Sequence, residues 1–103
     1  MKPNIGFTGI HGWIGGFVSE YFINNDYNVI DLGPWCRNPE RIDELKNQSS
    51  IDWAFHFGAN TSVKESFDKP FLFYQDNLQS TIKLLKIVKD NDAKIIFMSS
   101  YVY

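Results

Sequence analysis

Apolar and polar positions alternate between two periods along this chain, and the alternation predicts a repeating strand–helix order. Asn4 to Thr8 reads as a short buried strand. Ile14, Phe17, Val18, Tyr21 and Phe22 then fall at helical spacing and predict one apolar stripe, ended by Asn24-Asn25-Asp26. Asn28 to Leu32 is a second strand stopped by Gly33-Pro34. Asn38-Pro39 is a cap followed by Pro at a first helical position, which predicts a short helix to about Lys46. Asp52 to Phe57 is apolar almost throughout, as a strand covered on both faces should be. After Pro70 a long helix is predicted, with Leu78, Ile82, Leu85 and Val88 on one side and Lys83, Lys86 and Lys89 mostly outside. Ala93 to Met98 is the fourth strand.

A β-α-β-α-β-α-β order implies an α/β fold with a doubly wound parallel sheet, because parallel neighbours need crossover helices. Ligands of such sheets bind beyond the carboxyl ends of the strands. Those ends are Thr8-Gly9, Leu32-Gly33, Phe57-Gly58-Ala59 and Met98-Ser99, each of which carries small or polar residues. The first carries the most chemistry. Gly9-x-x-Gly12-x-x-Gly15 lies directly behind a strand and directly ahead of a helix. That turn presents free backbone N–H groups at the positive end of a helix dipole, a place suited to phosphate or pyrophosphate. Glycine permits the close backbone approach and the φ values the turn needs. Glycine triplets also occur in ordinary turns, so the strand–turn–helix context carries the argument.

Composition narrows the picture. With 103 residues, 44% of them hydrophobic, the chain suits one small domain with a core. A net charge of −2 without any basic run argues against nucleic-acid or anionic-membrane partners. Cys36 is the sole cysteine, so neither an internal disulfide nor a cysteine-based metal site is expected, and no metal is assigned. No signal-like segment or long apolar run is present, which gives a cytoplasmic expectation. No repeat or linker divides the chain, so residues 1–103 are expected to form a single domain.

Thr8-Gly9-x-x-Gly12-x-x-Gly15 resembles the dinucleotide fingerprint of the extended short-chain dehydrogenases/reductases, the nucleotide-sugar epimerases, dehydratases and reductases. Phe55-His56-Phe57-Gly58-Ala59 looks like the strand-four signature of that family. Glu65-Ser66, Lys69-Pro70, Tyr74 and Asn77 fall at spacings similar to its UDP-galactose 4-epimerase branch. Leu78-Gln79-Ser80-Thr81 is similar to the helix motif Asn-Val-x-Gly-Thr, and Ser99-Ser100-Tyr101-Val102-Tyr103 to the Ser-Ser-x-x-Val-Tyr-Gly segment.

The resemblance implies an incomplete Rossmann-like sheet of about four strands that binds NAD or NADP. By resemblance, Gly9, Gly12 and Gly15, with Trp13 and Ile14, would hold the pyrophosphate, with His11 in the same turn. Phe57, Gly58 and Ala59 would run alongside the riboses, and Asn77 would fix the cofactor-side helix. Ser99 would be the catalytic hydroxyl, with Ser100 as the alternative. Asp31 would hold the adenosine ribose, although an ungapped alignment places Gly33 there; Arg37 would instead pair with a 2′-phosphate. NAD and NADP thus both stay open.

Two departures qualify the resemblance. Pro34 to Ser50 is short, and the third strand of the family has no clear counterpart. The Tyr-x-x-x-Lys pair, in which Lys makes Tyr a usable base, is absent: Tyr21, Tyr27 and Tyr74 are followed at that offset by Asn25, Asp31 and Leu78. The chain therefore reads as the N-terminal, cofactor-binding part of such an enzyme, inactive alone. In the complete enzyme a nucleotide sugar would be substrate, and a homo-oligomer or a separately encoded C-terminal half would be the partner. The alternative is a non-catalytic dinucleotide-binding or assembly module complete at this length. His56 reads as a core histidine, Cys36 as a bystander and the lysine series as a solvated helix face.

Overall fold

The computed structural model describes residues 2–37, 50–58 and 67–98. Their order is β1 (Asn4–Thr8), α1 (Trp13–Asn24), β2 (Asn28–Asp31), α2 (Gly33–Arg37), β3 (Trp53–His56), α3 (Pro70–Asp90) and β4 (Lys94–Phe97). The strands form one parallel sheet in the order β2-β1-β3-β4. Sequential strands thus run outward from β1 in both directions, the doubly wound arrangement with its switch point at β1 and β3. The helix expected from Asn38 to Lys46 lies outside the described residues.

Side-chain alternation builds a separate core on each face. On the first face Phe7 stacks on its register neighbour Phe55 with ring centroids 5.0 Å apart. Phe22 of α1 closes over both rings at 6.2 and 5.5 Å, and Tyr27 meets Phe22 edge-on. On the second face Leu32, Trp35, Cys36, Ile51, Ala54, Leu84 and Ile87 form one buried cluster from β3, α2, α3 and the segments beside them. Burying each of the largest of these side chains contributes about 1.5–3 kcal/mol. Asn91 at the end of α3 accepts the Ile51 N–H through Oδ1 at 3.0 Å and so fixes where β3 begins.

Three expectations change. The stripe predicted to bury α1 is only partly the buried face. Gly15 and Ser19 are buried, whereas Phe17 and Tyr21 are 77% and 61% exposed. At its start the helix meets the Gly9 turn backbone to backbone through Gly15, while Phe22 carries the side-chain contact with the sheet. On α3 Leu84 and Ile87 carry the burial, while Leu78, Ile82 and Leu85 are exposed and Val88 is half-buried. Gly33-Pro34 ends β2 but also opens α2: proline has a φ that suits a first helical turn and a missing N–H that is not needed there. Among the described residues no helix is long and apolar enough to cross a membrane.

Candidate functional site

The carboxyl ends of β1, β2 and β3 meet α2 and α3 around a cavity of about 480 Å³. Thr8 and Gly9 line it from β1, Gly33 and Cys36 from α2, and Gly58 from the end of β3. Asp76, Asn77, Gln79, Ser80 and Lys83 of α3 close the remaining side. The predicted residues Gly9, Gly58 and Asn77 are thus brought to one cavity, although they lie far apart in sequence.

The glycine turn owes its shape to close backbone approach. Gly9 has φ +72°, and a Cβ there would stand 2.7 Å from the Gly58 nitrogen. A Cβ on Gly15 would stand 1.9 Å from the Gly9 carbonyl oxygen. That carbonyl accepts the Gly12 N–H at 3.0 Å and closes the turn. Gly12 is the N-cap of α1 in an extended conformation, and no side chain caps the helix. No acidic residue occupies the first turn either, so the positive end of α1 is left for another acceptor. A tight glycine turn leading into a helix with no side-chain cap, with Gly9 in the cavity wall, suits a pyrophosphate.

Asp31 is the last residue of β2, paired in register with Phe7, so it does occupy the strand end. Its Oδ1 accepts the Gly33 N–H at 2.9 Å, and its Oδ2 lies 3.6 Å from Nε2 of the exposed His11. A carboxylate at this strand end suits paired ribose hydroxyls, which donate two hydrogen bonds.

The other predicted positions divide plainly. Trp13 and Ile14 are exposed, with Trp13 at 90%. Phe57 turns its ring toward Phe7 and Phe55 on the first face, which leaves its backbone at the strand end. Arg37 ends α2. Ala59, Ser99 and Ser100 lie outside the described residues. Among the described residues there is no group of three or more His, Cys, Asp or Glu able to hold a metal ion.

Sequence reading missed several cavity residues. Cys36 is buried at the cavity wall, and Lys83 borders the cavity and so is not a purely solvated position. It also missed the setting of His56. This side chain bridges Thr8 and Thr81, and burial pushes its pKa below the ordinary 6.5, so the ring is held neutral. One signal was present: Thr81 lies four residues after the cavity residue Asn77, on the same side of α3.

Comparison with known proteins agrees with this geometry. The sequence profile of the NAD dependent epimerase/dehydratase family matches residues 5–103. The UDP-glucose 4-epimerase of Halalkalibacterium halodurans is 38% identical over 64 residues, which are 62% of this chain and 19% of that protein. UDP-glucose 4-epimerase 1 of Oryza sativa subsp. japonica is 32% identical over 78 residues, 75% of this chain and 21% of that protein. The crystal structure of UDP-glucose 4-epimerase from Bifidobacterium longum in complex with NAD+ and UDP superposes with a TM-score of 0.83 and 27% identity. That match covers 95% of this chain and 37% of the other. The chain therefore spans about a fifth of the length of the first two relatives and somewhat over a third of the solved one.

Proposed function

Because the chain belongs to the NAD dependent epimerase/dehydratase family, we propose that it is the dinucleotide-binding part of a nucleotide-sugar epimerase or dehydratase. In this reading residues 1–103 act as one NAD(P)-binding unit of a cytoplasmic enzyme, and the chain alone does not turn substrate over. The observation that carries it is the turn at Gly9 and Gly15, where backbone contacts leave no room for a Cβ, with Gly9 in the cavity wall and no side chain capping α1. NAD is the cofactor this arrangement favours, because Asp31 presents a carboxylate at the end of β2 and would repel a 2′-phosphate. NADP is the alternative, with Arg37 as its partner.

Each group then has one task. The N–H groups of Trp13 and Ile14, with Gly9, Gly12 and Gly15 around them, hold the pyrophosphate. His11 stands at the outer side of the same turn, beside Asp31. Gly58 and Ala59, with the backbone of Phe57, run alongside the riboses, and Asn77 holds α3 against them. A bound nicotinamide supplies a reversible hydride acceptor for a sugar carbon. Ser99, or Ser100 in its place, orients the reacting sugar oxygen. Tyr21, Tyr27 and Tyr74 are followed at the Lys offset by Asn25, Asp31 and Leu78, so none of these three is the base of a Tyr-x-x-x-Lys pair, and in this reading the base lies on another segment. A partner carrying that segment, such as a C-terminal half, is supported by the apolar residues left exposed on α1, α3 and β4.

Isothermal titration of the chain with NAD and with NADP tests this reading. Heat with NAD and a weaker response to NADP is the expected result. Absence of binding by either overturns the reading and leaves the glycine turn as a turn.

A further inference from the structure

His56 sits within an unbroken hydrogen-bond chain whose two ends have fixed polarity. The Gly58 N–H donates to Thr8 Oγ1 at 2.9 Å. Thr8 Oγ1 lies 2.6 Å from His56 Nδ1, and His56 Nε2 lies 2.9 Å from Thr81 Oγ1. Thr81 donates to the Asn77 carbonyl at 2.9 Å. An amide N–H only donates and a carbonyl only accepts, so the directions between them can be read inward. The single Thr81 proton goes to Asn77, so Thr81 Oγ1 accepts from His56, which must carry its proton on Nε2. His56 Nδ1 is then a bare lone pair and accepts the Thr8 proton, while the free lone pair of Thr8 accepts from Gly58. Every donor and acceptor in the chain is used once. The opposite tautomer aims two N–H groups at Thr8 Oγ1 and leaves the Thr8 proton without an acceptor in the chain. In a site where Thr8 is 2% and His56 5% exposed, that omission is costly.

The ends of this chain are wall residues of the same cavity, on different elements. Gly58 follows β3, Thr8 ends β1, and Asn77 lies on α3. We propose that His56 is a positioning residue of this cavity: its neutral Nε2–H tautomer joins the Gly58 end of β3 and the Asn77 turn of α3 through Thr8 and Thr81 into one rigid rim. The register supports the arrangement, because Thr8 and His56 are direct neighbours across β1 and β3 and face α3 together. The ring is further steadied by Phe97, its neighbour on β4, at 5.4 Å between centroids. That the rim receives a dinucleotide rests on the function proposed above; the tautomer and the rim do not.

The tautomer is read directly by long-range proton–nitrogen NMR of the imidazole in the full chain. The expected signature is a protonated Nε2 and an unprotonated Nδ1, and a protonated Nδ1 overturns the proposal. Thr81→Val removes the far acceptor. Exchange of the Gly58 amide is then expected to quicken about tenfold, as one hydrogen bond and the order it imposes are lost. NAD binding is expected to weaken about tenfold in parallel. Thr81→Ser keeps the hydroxyl and should restore both. His56→Asn keeps an acceptor near the Nδ1 position but loses the reach to Thr81, so it should quicken Gly58 exchange as Thr81→Val does. Gly58 exchange unchanged in a folded Thr81→Val chain also overturns the proposal. If the parent chain takes up no NAD, the proposed function fails, and the NMR and exchange results still decide the role of His56.

Discussion

Gly15 packs against Gly9 so closely that a Cβ on Gly15 would stand 1.9 Å from the Gly9 carbonyl oxygen. The obstacle is backbone, which cannot rotate aside like a side chain. Gly15→Ala is therefore expected to cost about 2–3 kcal/mol despite the better helix propensity of alanine. Gly16 is the control, because its Cβ would meet only the Ile10 carbonyl oxygen at 3.4 Å, close to ordinary contact. Gly16→Ala is expected to be neutral or to stabilise by up to about 1 kcal/mol. Thermal melts of the two variants check this, since 1 kcal/mol moves the midpoint of a domain this size by several degrees. Equal losses in both would mean that crowding at Gly15 relaxes without strain.

His56 makes stability depend on pH in a predictable sense. Burial pushes its pKa below the ordinary 6.5, so between the lowered value and 6.5 the unfolded chain binds more protons at this site than the folded one. Stability therefore rises with pH through that window and falls as the pH drops below about 6.5. His56→Asn removes the titrating group and should flatten this part of the curve. Urea denaturation between about pH 5 and 7, above the carboxylate range, isolates the effect. An unchanged slope in the variant would assign the dependence to other groups.

The sequence made much of this architecture legible because much of it is local. The expected bounds of β1 coincide with the observed Asn4–Thr8, and the other strands differ by one or two residues at their ends. The glycine spacing located the turn because Gly9 and Gly15 meet within one strand–turn–helix unit. Periodicity was less informative about which face is covered. It marked Phe17, Tyr21 and Phe22 alike, yet only Phe22 of these packs on the sheet, and Gly15 and Ser19 are the buried residues of α1. Hydrophobicity records what a side chain avoids, whereas the contact at the start of α1 is decided by the absence of one at Gly15. Side-chain pairing across the fold was less legible. His56 meets Thr8 and Thr81 at separations of 48 and 25 residues, and the one local hint is the place of Thr81 a turn after Asn77.

Asp31 offers a test of cofactor choice that spares the fold. Its Oδ1 accepts the Gly33 N–H at 2.9 Å, a bond that Asp31→Asn retains while losing the charge. The variant should lose less than about 1 kcal/mol of stability. NAD affinity is expected to fall about tenfold, from the loss of charge-assisted bonds to the ribose, and NADP affinity to fall less or to rise. Titration calorimetry of parent and variant with both cofactors measures the ratio. A change that leaves the NAD-to-NADP ratio fixed would make Asp31 a turn residue only.

The exposed apolar residues predict how the isolated chain behaves. Trp13, Phe17 and Tyr21 follow one another at i, i+4 along α1 and are all well exposed. Leu78, Ile82 and Leu85, at i, i+4 and i+7, are exposed along α3, and Ile96, Phe97 and Met98 are exposed at and just beyond β4. Among the described strands β4 pairs only with β3, so these apolar residues adjoin an edge able to accept another strand. Surfaces of this kind associate when nothing covers them. Light scattering is therefore expected to give a mass above the 12.0 kDa of a single chain. Phe17→Lys and Phe97→Lys together should lower that mass, because lysine is costly to bury at a contact and blunts a strand edge. Both side chains are largely exposed, so the double variant should keep its helix content by circular dichroism. A monodisperse parent at 12.0 kDa would show that water tolerates these faces. It would also remove their support for a partner that completes the site.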